Sequence, residues 1–306
     1  MKHPPATSTL VFETIHGLLQ HLELPNAAHP LIALVDYTRV KPDFASAGSR
    51  FILDFYKISF KASFQGMVKY GPGNYDFSNG GMAFLKPRQV VEMTGNASEY
   101  EGYALYFHPD LIRGYPLSRS IADYGFFSYA VSEALHLSDK EKKVIIALFK
   151  AIKTELANDI DAFSQDVLVA HLELVLHHCN RFYNRQFITR RPMHSPMIDK
   201  MSSYLAERFN NENAPDTGLP TTEEVAAHLN VSRRYLSDML KSLTGLTTQQ
   251  HIHMQLIEKS KELLSQSSLS TAEIAYKLGF EHPQSFNKLF RQKTNFSPLE
   301  YRQSFN

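Results

Sequence analysis

Two sets of polar residues near the C-terminal end have the types and spacing needed for hydrogen bonding to DNA. The first is Arg233, Arg234, Ser237, Asp238 and Lys241; the second is Gln284, Ser285, Asn287, Lys288 and Arg291. Separations of three and four residues put Arg234, Ser237, Asp238 and Lys241 on one side of a helix, and likewise Gln284, Lys288 and Arg291. A glutamine side chain can pair bidentately with adenine, arginine and lysine favour guanine or phosphate, and aspartate accepts from cytosine. Arg233 and Arg291 are the candidates for phosphate, whose contacts set register while base contacts set sequence.

The elements that must hold these side chains occur twice, about fifty residues apart. In the first copy Thr221 and Glu224 make a capping box, a helix runs to Leu229, Asn230-Val231 turns, and Ser232 caps a second helix. Leu236, Met239, Leu240 and Leu243 form that helix's buried stripe. In the second copy Ser270 caps with Glu273 three on, Gly279-Phe280 turns, and Pro283 suits a first helical position. Phe286, Leu289 and Phe290 are its buried stripe. The two helix-turn-helices are placed at about 222–243 and 271–293. A helix over Gln249–Leu264 joins them, and matching grooves one turn apart would require about 34 Å between reading helices. The same polar residues could be the solvated face of an ordinary bundle, but matched caps, turns and tails (Thr244-Gly245-Leu246-Thr247 and Thr294-Asn295-Phe296-Ser297) argue for a duplicated reader of double-stranded DNA.

Residues 195–306 resemble the AraC/XylS family of bacterial transcription regulators. The second copy carries the resemblance in Ile274-Ala275, Leu278-Gly279-Phe280, Phe286, Phe290-Arg291, Lys293-Thr294, Ser297-Pro298 and Tyr301-Arg302. The first carries it in Val225-Ala226, Val231-Ser232, Tyr235-Leu236, Thr244-Gly245 and Leu263-Leu264. The resemblance implies a helical domain whose two recognition helices enter adjacent major grooves. Departures are Thr248 for a usual proline, Gln255 for arginine, Ser260 for alanine, Asn295 for glycine, Ser285 where an aromatic is common, and Asp238 where a basic residue is common. Asn295 should keep its turn because asparagine tolerates positive φ.

Upstream, Leu31 to His108 reads as β structure: Leu31–Tyr37, Phe51–Phe60, Met67–Tyr70, Met82–Leu85 and Tyr103–Phe107, separated by turns at 71–74 and 78–81. Two helices follow. One is capped by Ser138 with Glu141; the other runs from about Phe163 to Phe187 and contains the lone cysteine, Cys179, read as core. They either cover the sheets or offer an apolar face for dimerisation. The basic, proline-containing stretch 189–194 reads as a linker, and Ser195-Pro196 as the next helix start. The predicted fold class is α+β multidomain: a cupin-like β-barrel over 1–137, a helical pair over 138–188, and an all-α domain over 195–306. Pro72-Gly73, Asn79-Gly80-Gly81 and Phe84-Leu85-Lys86-Pro87 resemble the sensor barrels of that family, which implies a small effector bound inside.

At 306 residues, 43% hydrophobic and net charge +1, the chain is an ordinary globular protein without the basic excess of an indiscriminate nucleic-acid binder. Its near-balanced C-terminal segment must therefore group its cations on one face. One cysteine, no signal pattern and no long apolar run predict a cytoplasmic protein with no disulfide and no membrane span. Metal cupins use clustered histidines; His29 and His108 stand apart in the β segment, His177-His178 diverge on one helix, and so do His251 and His253. No metal, cofactor or catalytic residue is therefore expected, and the chain is expected not to be an enzyme. Phe51, Phe55, Phe60, Phe64, Tyr70, Phe84, Tyr103 and Tyr106 are candidates for the barrel interior. Arg50, Lys57, Lys69 or Arg88 could receive an anionic effector, and the sequence does not choose among them. The leading expectation is an effector-controlled regulator that binds DNA as a homodimer, with RNA polymerase a candidate partner. Two alternatives are a DNA binder whose barrel only dimerises or docks a protein, and a cupin-type enzyme.

Overall fold

The computed structural model describes residues 9–40, 50–64, 67–70, 73–76, 80–92, 100–130, 133–189, 191–210 and 218–304. It comprises two compact units, 1–186 and 187–306.

The N-terminal unit carries its strands in three sheets. β1 (Thr9–Phe12), β3 (Arg50–Leu53) and β8 (Val90–Glu92) form one, ordered β1-β3-β8. The second is antiparallel, ordered β10-β7-β4-β9-β2, from β10 (Leu135–His136), β7 (Gly81–Leu85), β4 (Tyr56–Phe64), β9 (Tyr100–Phe107) and β2 (Ile32–Asp36). β5 (Met67–Tyr70) and β6 (Gly73–Asp76) pair as a hairpin. One face of the five-stranded sheet turns inward. Its Ala33, Val35, Leu85, Ala104 and Tyr106 share a core with Phe51, Leu53 and Val91 of the smaller sheet. Ile15, Leu18 and Leu19 of α1 (Ile15–His21) complete it. The opposite face is buried by α3 (Asp139–Glu155) and α4 (Ser164–Thr189). Phe60 and Tyr103 lie 6.4 and 6.1 Å from the Phe149 ring, and Cys179 Sγ is 3.7 Å from Met82 Sδ. A short α2 (Leu117–Ser120) precedes these helices.

Several expectations change. The run Phe51–Phe60 is two strands, because the chain leaves the small sheet at Asp54-Phe55 and joins the large one at Tyr56. The Asp54 N–H donates to the Phe12 carbonyl at 3.0 Å at that corner. An unbroken apolar run records burial on both sides and hides such a break. β1, α1 and β8 add to the expected elements. Of the expected turns, 71–72 and 78–79 lie outside the described residues.

The C-terminal unit is helical: α5 (Arg191–Asn210), α6 (Thr222–His228), α7 (Arg233–Thr244), α8 (Thr248–Gln266), α9 (Thr271–Lys277), α10 (Pro283–Thr294) and α11 (Pro298–Gln303). The stretch read as a linker is therefore mostly helix, apart from residue 190, which lies outside the described residues. Pro196 sits inside α5 rather than at its start. Pro192 occupies the first turn of α5, where an amide N–H has no intrahelical acceptor, so the helix starts one turn earlier than expected. Leu205, Val225, Leu236, Met239, Leu256, Ile274, Leu278, Phe286 and Phe290 are all at most 1% exposed and form this unit's interior.

Candidate nucleic-acid interface and barrel interior

The repeat seen in the sequence is a repeat of geometry. Thr221 with Glu224 and Ser270 with Glu273 make both capping-box hydrogen bonds at the starts of α6 and α9. The turns that follow require positive φ, at Asn230 (55°) and Gly279 (91°). A Cβ on Gly279 would sit 2.7 Å from the Gly218 carbonyl carbon, so only glycine fits there. The second helices of the two repeats, α7 and α10, end on left-handed residues, Gly245 (φ 78°) and Asn295 (φ 66°), as expected for asparagine in a glycine position. Thr244 Oγ1 donates to the Leu240 carbonyl and accepts from the Leu246 N–H. Thr294 repeats this with Phe290 and Phe296. Two further capping boxes, at Thr247–Gln250 and Ser297–Glu300, start α8 and α11. The S/T-x-x-E/Q pattern in the sequence could have located them.

This framework fixes the expected DNA contacts on two helices. Arg233, Arg234, Ser237, Asp238 and Lys241 lie on α7, with Tyr235, Leu236, Met239 and Leu240 buried on the other side. Arg233, Arg234 and Lys241 are exposed; Ser237 and Asp238 are half-buried. Gln284, Ser285, Asn287, Lys288 and Arg291 lie on α10 and are all exposed, with Phe286 and Phe290 beneath. The first set is partly engaged within the chain. Arg234 Nε donates to Asp238 Oδ2 at 3.0 Å, and Arg233 pairs with Glu223 on α6. Exposed pairs of this kind contribute roughly 0–1 kcal/mol, so a phosphate or a guanine edge can displace them. Asp238 thus orients Arg234 as well as presenting an acceptor of its own. On α10, by contrast, no ion pair among the described residues ties down Lys288 or Arg291.

The barrel interior differs from the expected list. Phe51, Phe55 and Tyr106 do point into the shared core. Phe60, Phe84 and Tyr103 lie on the other face of the sheet, against the helices and loops, because strand neighbours alternate. The side chains of Phe64, Tyr70 and Lys69 lie outside the described residues. Arg88 is 81% exposed beside Asp54, and Arg50 is exposed too. Of the four candidate cations, Lys57 turns inward: its partners across the ladder are Tyr106 and Leu85, both core residues. The ammonium lies 5.6 Å from the Tyr106 ring centre and 5.9 Å from that of Tyr37. Ser59 and Lys61 follow on the same face, and Tyr37 Oη is 2.8 Å from Ser59 Oγ. Lys61 is only 4% exposed. Burial, then the charge of Lys57, pushes its pKa down to about 7, and burial pushes the Tyr37 phenol up to about 12. Lys61 went unread in the sequence, although its i+4 spacing from Lys57 on a period-two strand was the available signal.

Three of the histidines serve local structure. His29 and His108 each accept a backbone N–H at Nδ1, from Leu31 and Asp110. His251 Nε2 is 2.9 Å from Thr244 Oγ1, and burial lowers its pKa. Among the described residues no three histidine, cysteine or acidic side chains group as metal ligands, and no helix is long and apolar enough to cross a membrane. Burial raises the pKa of the Cys179 thiol, which suits a packed residue. A cavity of about 240 Å³ runs beside the edge strand β2, between Leu24, Leu34, Tyr103, Lys153 and Leu156.

Residues 225–304 match the sequence family described as a helix-turn-helix domain. The HTH-type transcriptional activator RhaS of Salmonella arizonae is 41% identical over 106 residues, 35% of this chain and 36% of that one. The chain thus spans about a third of the length of the curated relatives it matches. Among solved structures, the C-terminal domain of AraT, a response regulator from Geobacillus stearothermophilus, is 30% identical, with 36% of this chain and 85% of that one covered and a TM-score of 0.31. ToxT from Vibrio cholerae is 14% identical, with 89% of this chain and 97% of that one covered and a TM-score of 0.29.

Proposed function

With a C-terminal helix-turn-helix domain of the AraC/XylS family as the premise, we infer that the chain is a sequence-specific DNA-binding transcription regulator. The observation that carries this reading is the pair of equivalent helices, α7 and α10, that present polar faces from one duplicated framework. Each recognition helix enters a major groove. Gln284 and Arg234 read bases, and Arg233 and Arg291 set register on phosphates. A small effector bound in the N-terminal unit controls the affinity for DNA. A second copy of the chain docks along α4, where Val167, Ala170 and Leu174 are exposed at spacings of three and four residues, with Phe163 exposed just before the helix. That is the spacing of a coiled-coil seam.

The test is selection of the purified chain on a random duplex library. A motif with two elements about one helical turn apart is expected. Arg234→Ala or Gln284→Ala should then lose about 1–3 kcal/mol on the selected site and relax preference at one position. Equal losses on selected and random duplex would reject base reading by that residue. Selection that enriches no motif, with or without effector, would reject the function.

A further inference from the structure

The two ends of the five-stranded sheet are finished differently. At β10 the outer edge is closed by side chains of α4. The His136 N–H donates to Gln186 Oε1 at 2.7 Å, Gln186 Nε2 donates to the Ala134 carbonyl at 3.2 Å, and Arg185 Nη2 donates to the His136 carbonyl at 2.8 Å. At the other end, among the described strands, β2 pairs with β9 alone. The His108 N–H donates to the Leu31 carbonyl at 2.8 Å, so Leu31, Ala33 and Val35 turn their backbone groups toward β9. Ile32, Leu34 and Asp36 turn theirs outward, and Ile32 bridges back to His29. Among the described residues no hydrogen bond reaches the Leu34 N–H, the Leu34 carbonyl or the Asp36 N–H. A bare strand edge is a template for pairing with another chain, and proteins usually cover it.

The cavity of about 240 Å³ lies along this same edge. All five residues of β2 line it, although neighbours on a strand alternate between faces. Only a space that meets the strand edge-on can touch them all. Leu24 walls it on the core side and Leu156, at the end of α3, on the helix side. Two exposed cations also line it, Arg39 just beyond the strand and Lys153 in the last turn of α3. Asp36 is the one acid among the described lining residues, and it is committed: its Oδ1 accepts the Thr38 N–H at 3.1 Å and the Thr38 hydroxyl at 2.7 Å. We propose that the outer edge of β2 is a docking site for an extended, acidic segment of a partner protein, which joins the sheet as an added strand beside Leu34. The segment lies about 4.8 Å from β2. Hydrogen bonds with the Leu34 and Asp36 backbone hold it, and its alternate apolar side chains pack against Leu24 and Leu156. Arg39 and Lys153 meet its carboxylates and select it over neutral strands.

The experiment selects a displayed library of random linear peptides on the full chain and measures the enriched sequences, as synthetic peptides, by titration calorimetry. Enriched peptides are expected to carry Asp or Glu among alternating apolar residues. N-methylation of every second residue should abolish binding in one phase and spare it in the other, because a paired strand turns alternate amides toward β2. Leu34→Pro removes the outward N–H at an edge position, where proline is tolerated. It should weaken the peptide at least about tenfold, the size of a lost backbone hydrogen bond with its carbonyl partner left bare, while Leu34→Val leaves it unchanged. Should Leu34→Pro fail to fold, the exposed charge reversals Arg39→Glu and Lys153→Glu carry the test: both should weaken the acidic peptide and leave its Asn/Gln counterpart unaffected. No enrichment, equal loss in both N-methylation phases, or affinity that no variant moves would overturn the proposal. Self-association that Leu34→Pro abolishes, in a chain that enriches no peptide, would overturn it in favour of a second copy at this edge.

Discussion

Lys61, buried on the inward face of β4, illustrates how a buried charge can escape a sequence reading. The apolar members of β4 dominate its sequence pattern, and that pattern does not rank Lys57 among the four candidate cations. Only the register against Tyr106 and Leu85 selects it, and the same alternation then brings in Lys61. The burial of Lys61 has a consequence with a definite sign. Its pKa is about 7 in the folded chain, against an ordinary 10.5. Below pH 7 both folded and unfolded chains carry the proton, so the burial penalty is fully present. Between about 7 and 10.5 the unfolded chain binds a proton that the folded chain does not, so stability rises with pH. Chemical denaturation between pH 7 and pH 9 should show the wild-type midpoint climbing relative to that of Lys61→Met. Parallel profiles for the two proteins would mean that Lys61 ionises normally. Asn295 was legible for the opposite reason: its tolerance of positive φ is intrinsic to the residue and needs no tertiary partner.

Helix starts were the most legible elements, since a capping box is written within four residues. Ser138, Thr221 and Ser270 cap where the pattern puts them. Strand ends and the start of α5 were less so, because they depend on which sheet a segment joins and on where an unpaired amide can be tolerated. Thr248, at the first position of α8, offers a test of this local logic. Its Oγ1 is buried and has no hydrogen-bond partner among the described residues. The first-turn N–H has no intrahelical acceptor, and Thr247 at φ −76°, ψ 164° suits a residue before proline. Thr248→Pro should therefore raise unfolding stability by about 1 kcal/mol, by restricting the unfolded chain and removing an orphaned hydroxyl. A lower denaturation midpoint would show that the hydroxyl is satisfied. The exposed stripe of α4 gives a second test. Leu174 is 44% exposed, so a charge there costs the monomer little, whereas inside a seam between two copies it would be desolvated. Sedimentation should find the wild type dimeric and Leu174→Lys shifted towards monomer, with an unchanged far-ultraviolet spectrum. A monomeric wild type, or an equally dimeric variant, would place the dimer contact elsewhere or remove it.

At the scale of the whole chain, the division into a sheet-rich unit and a helical one follows from a change of period, from alternation before residue 108 to helical spacing after 138. What the sequence could not supply was where the second unit begins, because helical periodicity continues through α4 into α5 and the proline-bearing stretch between them reads as a break. The ring of Phe187 packs edge-on against Tyr235 at 5.3 Å, so the helical unit gathers residues well upstream of the repeat. Its interior is continuous. α8 contacts α5, α7, α9 and α11, so one central helix organises both copies of the helix-turn-helix. A unit with its own core and its own caps should fold without the rest. The fragment 187–306 is therefore expected to unfold cooperatively and to enrich the same duplex motif as the full chain. Its affinity for a site with two copies of that motif should be weaker, because the linkage that a dimer provides is lost. Circular dichroism melting and titration on one-copy and two-copy duplexes check this. A fragment without a cooperative transition would mean that the helical unit needs the N-terminal unit to fold. A fragment that binds two-copy duplex as tightly as the full chain does would mean that the N-terminal unit adds no second reader.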